Sequence, residues 1–130
     1  MKILVMAIVL QFVTLNSFAQ NSLSNSKWKA QTMISQSQAA DITLDFRVDS
    51  FFIFGRPERK PEAMKFSQHR DSLYLFKISG SSPCPDKSEA WYKIEWLENG
   101  EKFILHTISD SCIGRSKVFT HIRITERLRE

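Results

Sequence analysis

The 130-residue sequence contains no C-x-x-C pair, no H-x-x-x-H spacing, no Gly-rich phosphate loop, no His-Glu-x-x-His and no Gly-x-Ser-x-Gly elbow. Each absence removes a chemistry. Without closely spaced cysteines or histidines, a compact zinc or redox centre has no local ligand set. Without the glycine loop there is no cradle for a nucleotide phosphate, and without the elbow or a positioned carboxylate pair neither a serine hydrolase nor a glycosidase has its signature. The expectation is a non-catalytic protein with no cofactor and no metal.

Apolar runs are also short. Ile3 to Leu15, broken by Gln11 and Thr14, falls below the roughly 20 residues that a spanning helix needs. It follows Lys2 and precedes Ser17-Phe18-Ala19, a small-x-small cleavage pattern, so residues 1–19 read as a signal peptide cleaved after Ala19. Neither cysteine lies near that point, which argues against a lipoprotein. The expected location is secreted or periplasmic, with no membrane span after cleavage. The remaining 111 residues suffice for one domain with one core.

A strong charge of either sign is missing too. Eighteen basic and fourteen acidic residues give +4, and losing Lys2 leaves 17 − 14 = +3. The one basic concentration, Arg56-Pro57-Glu58-Arg59-Lys60, contains an acid and a proline and reads as a solvated loop, with an anionic-surface contact as its alternative. Nucleic acid is not an expected partner.

What is present is period two. After a polar, flexible lead at residues 20–26, strand-like segments fall at Lys27–Met33, Ile42–Val48, Phe51–Phe54, Ala63–Ser67, Leu73–Ile78, Glu89–Leu97, Phe103–Thr107 and Val118–Ile124, before a charged tail at 127–130. Only Gln31 to Ala40 leaves room for a helical turn. Asn99-Gly100 sits between two of the strands and is the strongest hairpin cue. About eight short strands joined by short turns predict an all-β fold, an antiparallel up-and-down β-barrel over residues 27–126. Closing the barrel removes exposed edges. The alternative is a two-sheet β-sandwich.

The run Cys84…Trp91-Tyr92-Lys93-Ile94-Glu95-Trp96…Phe103-Ile104-Leu105…Asp110-Ser111-Cys112-Ile113-Gly114-Arg115 resembles the lipocalin-like (calycin-type) domains of small secreted bacterial proteins. Ser26-Lys27-Trp28 is similar to the Gly-x-Trp signature that opens the first strand there, with serine in place of glycine. The resemblance implies a cup-shaped site and a basic residue, Arg123 or Arg127, packed over Trp28. It implies no particular ligand.

Cys84 and Cys112 flank a hairpin that can bring both to one end, so in an oxidising compartment they are expected to form a disulfide. With 27 residues between them, chain entropy suggests about 3–4 kcal/mol of stabilisation. The competing reading, a metal held by the two cysteines with His106 or His121, lacks ligand spacing. Those histidines fall on neighbouring strand candidates, as a facing pair or as solvated side chains. Arg115 reads either as an anion clamp at the barrel mouth or as a brace paired with Asp110. Phe46, Phe54, Phe76, Tyr92, Trp96 and Phe103 are the candidate lining of an apolar cavity, unless they fill it. Two functions stand open: binding of a small hydrophobic ligand by a monomeric barrel, or a filled-core interaction or inhibitor module for an envelope protein.

Overall fold

The computed structural model describes residues 21–55 and 60–129. The expected signal peptide with its cleavage point, and Arg56 to Arg59 of the basic loop, lie outside the described residues.

Eight strands form one antiparallel sheet: β1 (Ser26–Ser35), β2 (Gln38–Phe46), β3 (Ser50–Phe54), β4 (Glu62–His69), β5 (Ser72–Ser79), β6 (Glu89–Leu97), β7 (Lys102–Asp110) and β8 (Arg123–Leu128). Each pairs with its neighbour in sequence up to β7, and β8 pairs antiparallel with β1. The two ends of the sheet, β7 and β8, come into contact without sharing a ladder, so the result is a nearly closed up-and-down barrel. Alternation drives this geometry. In β6, Ala90, Tyr92 and Ile94 are buried while Glu89, Trp91, Lys93 and Glu95 are exposed. One face of each strand fills the interior and the other meets solvent.

Two sequence expectations give way. Gln31 to Ala40 is not helical: β1 runs on to Ser35 and returns at Gln38, with a ladder from Ser26↔Phe46 to Ser35↔Gln38. The hydrogen bonds of that long hairpin outweigh the weak strand preference of its polar residues. The second correction is at the C-terminal side. Ile113–His121 forms an α-helix, α1, and the last strand begins only at Arg123. Val118, Thr120, Ile122 and Ile124 alternate like a strand, yet the buried pair Arg115 and Phe119 is spaced four apart, which puts both on one helical face.

The turns β2–β3, β4–β5 and β6–β7 share one end of the barrel, which is closed. Residues 21–25, read from the sequence as a flexible lead, lie across it. Leu23 is fully buried, its N–H donating to the Gln68 side-chain oxygen at 2.8 Å, and the Gln68 amide donates to the Asn21 carbonyl at 2.9 Å. Glu98, Asn99 and Gly100 all adopt positive φ in the β6–β7 turn. Gly100 suits its position through its φ of +86°, which favours a residue without a Cβ.

Trp28 sits just inside this end with no exposed surface. Its indole N–H donates to Ser26 Oγ at 2.7 Å, and the Arg127 guanidinium stacks 4.8 Å from its ring. Ser26 thus satisfies the one polar atom of the tryptophan. Of the two cations expected over Trp28, Arg127 takes the place; it lies in β8 and not in a free tail, while Arg123 reaches Gln31.

Aromatic rings and aliphatic side chains share the interior. Phe103 packs edge-on against Trp28 at 4.9 Å and against Trp96 at 5.7 Å. Phe46 stacks on Phe51 at 4.0 Å, and Phe119 of α1 reaches down to Phe51 and Tyr92. Helix α1 therefore stands across the opposite end of the barrel, the mouth, with one ring inserted into the core.

Candidate functional site

The mouth gathers the β1–β2 and β5–β6 connections, the end of β3, the start of β4, and α1. Cys84 lies on the β5–β6 connection and Cys112 immediately before α1. They form a disulfide with 5.6 Å between Cα atoms, tying the loop to the start of the helix. The hairpin β6–β7 returns the chain to the same end, which is why two distant cysteines meet.

Beneath the disulfide, Asp110 organises a buried network. Its carboxylate accepts from Arg115 Nη2 at 2.8 Å and Nε at 3.0 Å, from the Cys112 N–H at 2.7 Å, and from the Tyr92 hydroxyl. Arg115 Nη1 also donates to the carbonyl and hydroxyl of Ser88, at 3.4 and 3.3 Å. The paired side chains are 5% and 0% exposed. Arg115 is thus the brace of the two readings: an arginine committed to an internal carboxylate is not offering its charge to a visiting anion.

Burial, reinforced by the bond to Asp110, pushes the Tyr92 phenol well above the usual tyrosine range. The folded phenol keeps its proton at pH values where the unfolded one, with its ordinary value of 10.0, has lost it. That contribution to stability is complete below about pH 10 and is lost as the pH rises beyond it. Denaturation midpoints measured between pH 8 and 11 should therefore fall more steeply for the wild type than for Tyr92→Phe. Equal slopes would show that the phenol does not carry this linkage.

Between α1 and the mouth ends of β1 to β5 lies a cavity of about 190 Å³. Its apolar wall comes from Ile42, Ile53, Met64, Val118 and Phe119, with Thr32 and Gly114 beside them. Two ionic pairs border it, Arg115 with Asp110 and Lys77 with Glu62. Lys77 is 2% exposed, an inward-facing cation on the same face as Leu73 and Leu75. Its Nζ donates to the Cys84 carbonyl at 2.7 Å and to the Ser82 hydroxyl and carbonyl at 3.0 and 3.2 Å, with Glu62 Oε2 at 3.3 Å. Glu62 in turn accepts from the Ser82 N–H at 2.6 Å. Gly80 permits this: at φ +142° its Cα faces the Glu62 carboxylate so closely that a Cβ would lie 2.5 Å away.

The expected lining residues are distributed differently. Phe46, Tyr92 and Phe103 are buried in the packed core, and Trp96 is half-buried beside Trp28 at the closed end. Phe54 and Phe76 point outward: the inward positions of β3 belong to Phe51 and Ile53, and those of β5 to Leu73, Leu75 and Lys77. Of the residues singled out from the sequence, only Arg115 and Cys84 border the cavity. Lys77 and Glu62 went unnoticed, although the alternation Leu73-x-Leu75-x-Lys77 was the signal for an inward lysine. The histidines do not face one another; His106 pairs with Glu95 at 2.6 Å and His121 hydrogen-bonds the Lys117 carbonyl at the end of α1.

Among the described residues no helix is long and apolar enough to cross a membrane. No family model, no curated protein and no solved structure matches the chain.

Proposed function

We propose that this is an exported, non-catalytic binding module of lipocalin-like type that holds a small apolar molecule at the barrel mouth. The observation that carries the reading is the cavity of about 190 Å³ walled by Ile42, Ile53, Met64, Val118 and Phe119. An apolar space of similar size can take up a benzene-sized guest. The driving force would be burial of apolar surface, with specificity from the polar groups at the rim. The eight-strand meander and the Arg127–Trp28 stack at the closed end support the lipocalin-like assignment, and the disulfide supports an oxidising compartment.

The size of the cavity sets the range of ligands. It lies below the roughly 300–1,000 Å³ of sites for drug-sized molecules, so one ring or a short acyl segment fits and a retinoid does not. Thermal-shift and NMR titrations with small aromatic and aliphatic compounds are expected to give saturable binding. Val118→Phe, which fills the space from a half-buried position, should abolish that binding in a still-folded protein. No response across the panel in the wild type would end this reading.

A second reading has its own observation. On the outer face of the barrel, Tyr74 and Trp91 pack at 4.7 Å beside Phe76, and Trp91 and Ile78 are exposed. Such a patch suits a protein contact, as an interaction module of the envelope would need. Trp91→Ala leaves the cavity intact, so small-molecule binding that survives this substitution belongs to the mouth.

A further inference from the structure

The wall chemistry of the cavity narrows what it accepts. Among the described residues that line it, each cation already has its own carboxylate: Lys77 has Glu62 at 3.3 Å and Arg115 has Asp110 at 2.8 Å. The three protons of the Lys77 ammonium are shared among the Cys84 carbonyl, both oxygens of Ser82 and Glu62, which is more acceptors than donors. Glu62 is engaged by Lys77 and by the Ser82 N–H. The two pairs cancel in charge, and the remaining wall is apolar.

From this we infer that the mouth selects uncharged ligands, and that Glu62 is the residue that sets this preference by neutralising the buried Lys77. The inference rests on the cavity reading above. An entering carboxylate would lose its hydration, meet the Glu62 carboxylate and find Lys77 and Arg115, the cations among the described lining residues, already paired. An entering ammonium would find Glu62 already committed. A neutral molecule of the same shape meets neither cost. Removing the charge of Glu62 leaves Lys77 as a buried cation with only neutral acceptors, which is the condition under which an anionic ligand is welcomed. Glutamine keeps the shape of the side chain and an oxygen for the Ser82 N–H, so the 79–84 loop retains its anchor.

Three nearly isosteric probes test this by NMR titration of the purified protein: benzyl alcohol, benzoate and benzylammonium at neutral pH. The wild type should bind the alcohol at least about tenfold more tightly than either ion, a preference that a single Coulombic contact near a protein surface readily supplies. Glu62→Gln should tighten benzoate relative to the alcohol by about tenfold or more. Binding of the alcohol and of either ion with equal affinity in the wild type would overturn charge selection and leave the cavity reading standing. A folded Glu62→Gln protein without gain for benzoate would overturn the role of Glu62. If none of the three probes binds the wild type, the cavity reading itself fails and takes this inference with it. Should Glu62→Gln not fold, the wild-type comparison of the alcohol with the two ions still decides charge selection.

Discussion

Asp110→Ala is expected to lower the unfolding free energy by about 3–5 kcal/mol, the range seen when one partner of a buried ion pair is removed. The reason is the number of groups stranded together. Arg115 would keep its charge inside the barrel with only the Ser88 oxygens for company, while the Tyr92 hydroxyl and the Cys112 N–H would lose their acceptor. In urea, a loss of that size in a domain this small moves the midpoint down by about 1.5–3 M. Asp110→Ala combined with Arg115→Met should cost less than the sum of the two single changes, because the second substitution removes the charge that the first one strands. A shift worth less than about 1 kcal/mol for Asp110→Ala, the size expected of an exposed pair, would show that the pair is solvated in solution.

Phe119→Ala should cost about 3–5 kcal/mol, as truncation of a well-packed ring in a core does. Phe119 packs its ring against both Phe51 and Tyr92, and it also forms part of the cavity wall. Its loss detaches the helix from the core and joins the vacated space to the existing void. Hydrogen exchange should then rise across residues 113–121 ahead of the strands. Unchanged stability would mean that the helix does not rest on the barrel through this ring.

The strand rhythm was readable because both faces of most strands obey a simple rule, and β6 is the clearest case: Tyr92 and Ile94 inward, Lys93 and Glu95 outward. Asn99-Gly100 marked the β6–β7 turn because few other residues accept positive φ there. The disulfide followed from that turn. The errors also have physical causes. Residues 113–124 satisfy a period of two and a period of 3.6 in part, and what decides for a helix, the burial of Arg115 on Asp110 and of Phe119 on the core, is tertiary. Aromatic character alone does not place Phe76 in the cavity, because it is out of phase with the inward positions of β5. The strand turns Leu73 and Leu75 inward, so its next inward position is a lysine. Glu62 carried no local signal. Its importance arises from a loop 20 residues further along the chain folding back over it.

The meander also orders the events of folding. From β1 to β7 every pairing joins consecutive strands, so these contacts close short loops that form quickly and singly. The cysteine pair belongs to the same local class, since it staples the ends of one hairpin and needs nothing beyond Cys112. Only the β1–β8 ladder differs: the contacts Arg123–Gln31 and Thr125–Lys29 span 92 and 96 residues. Until that ladder forms, β1 is an open edge carrying unpaired backbone groups and Trp28 lacks its arginine cover. A chain made from its N-terminus therefore spends most of its synthesis as a growing, curling ribbon. The last strand to arrive pairs the β1 edge, covers Trp28 and sets β8 against β7, leaving a nearly closed barrel.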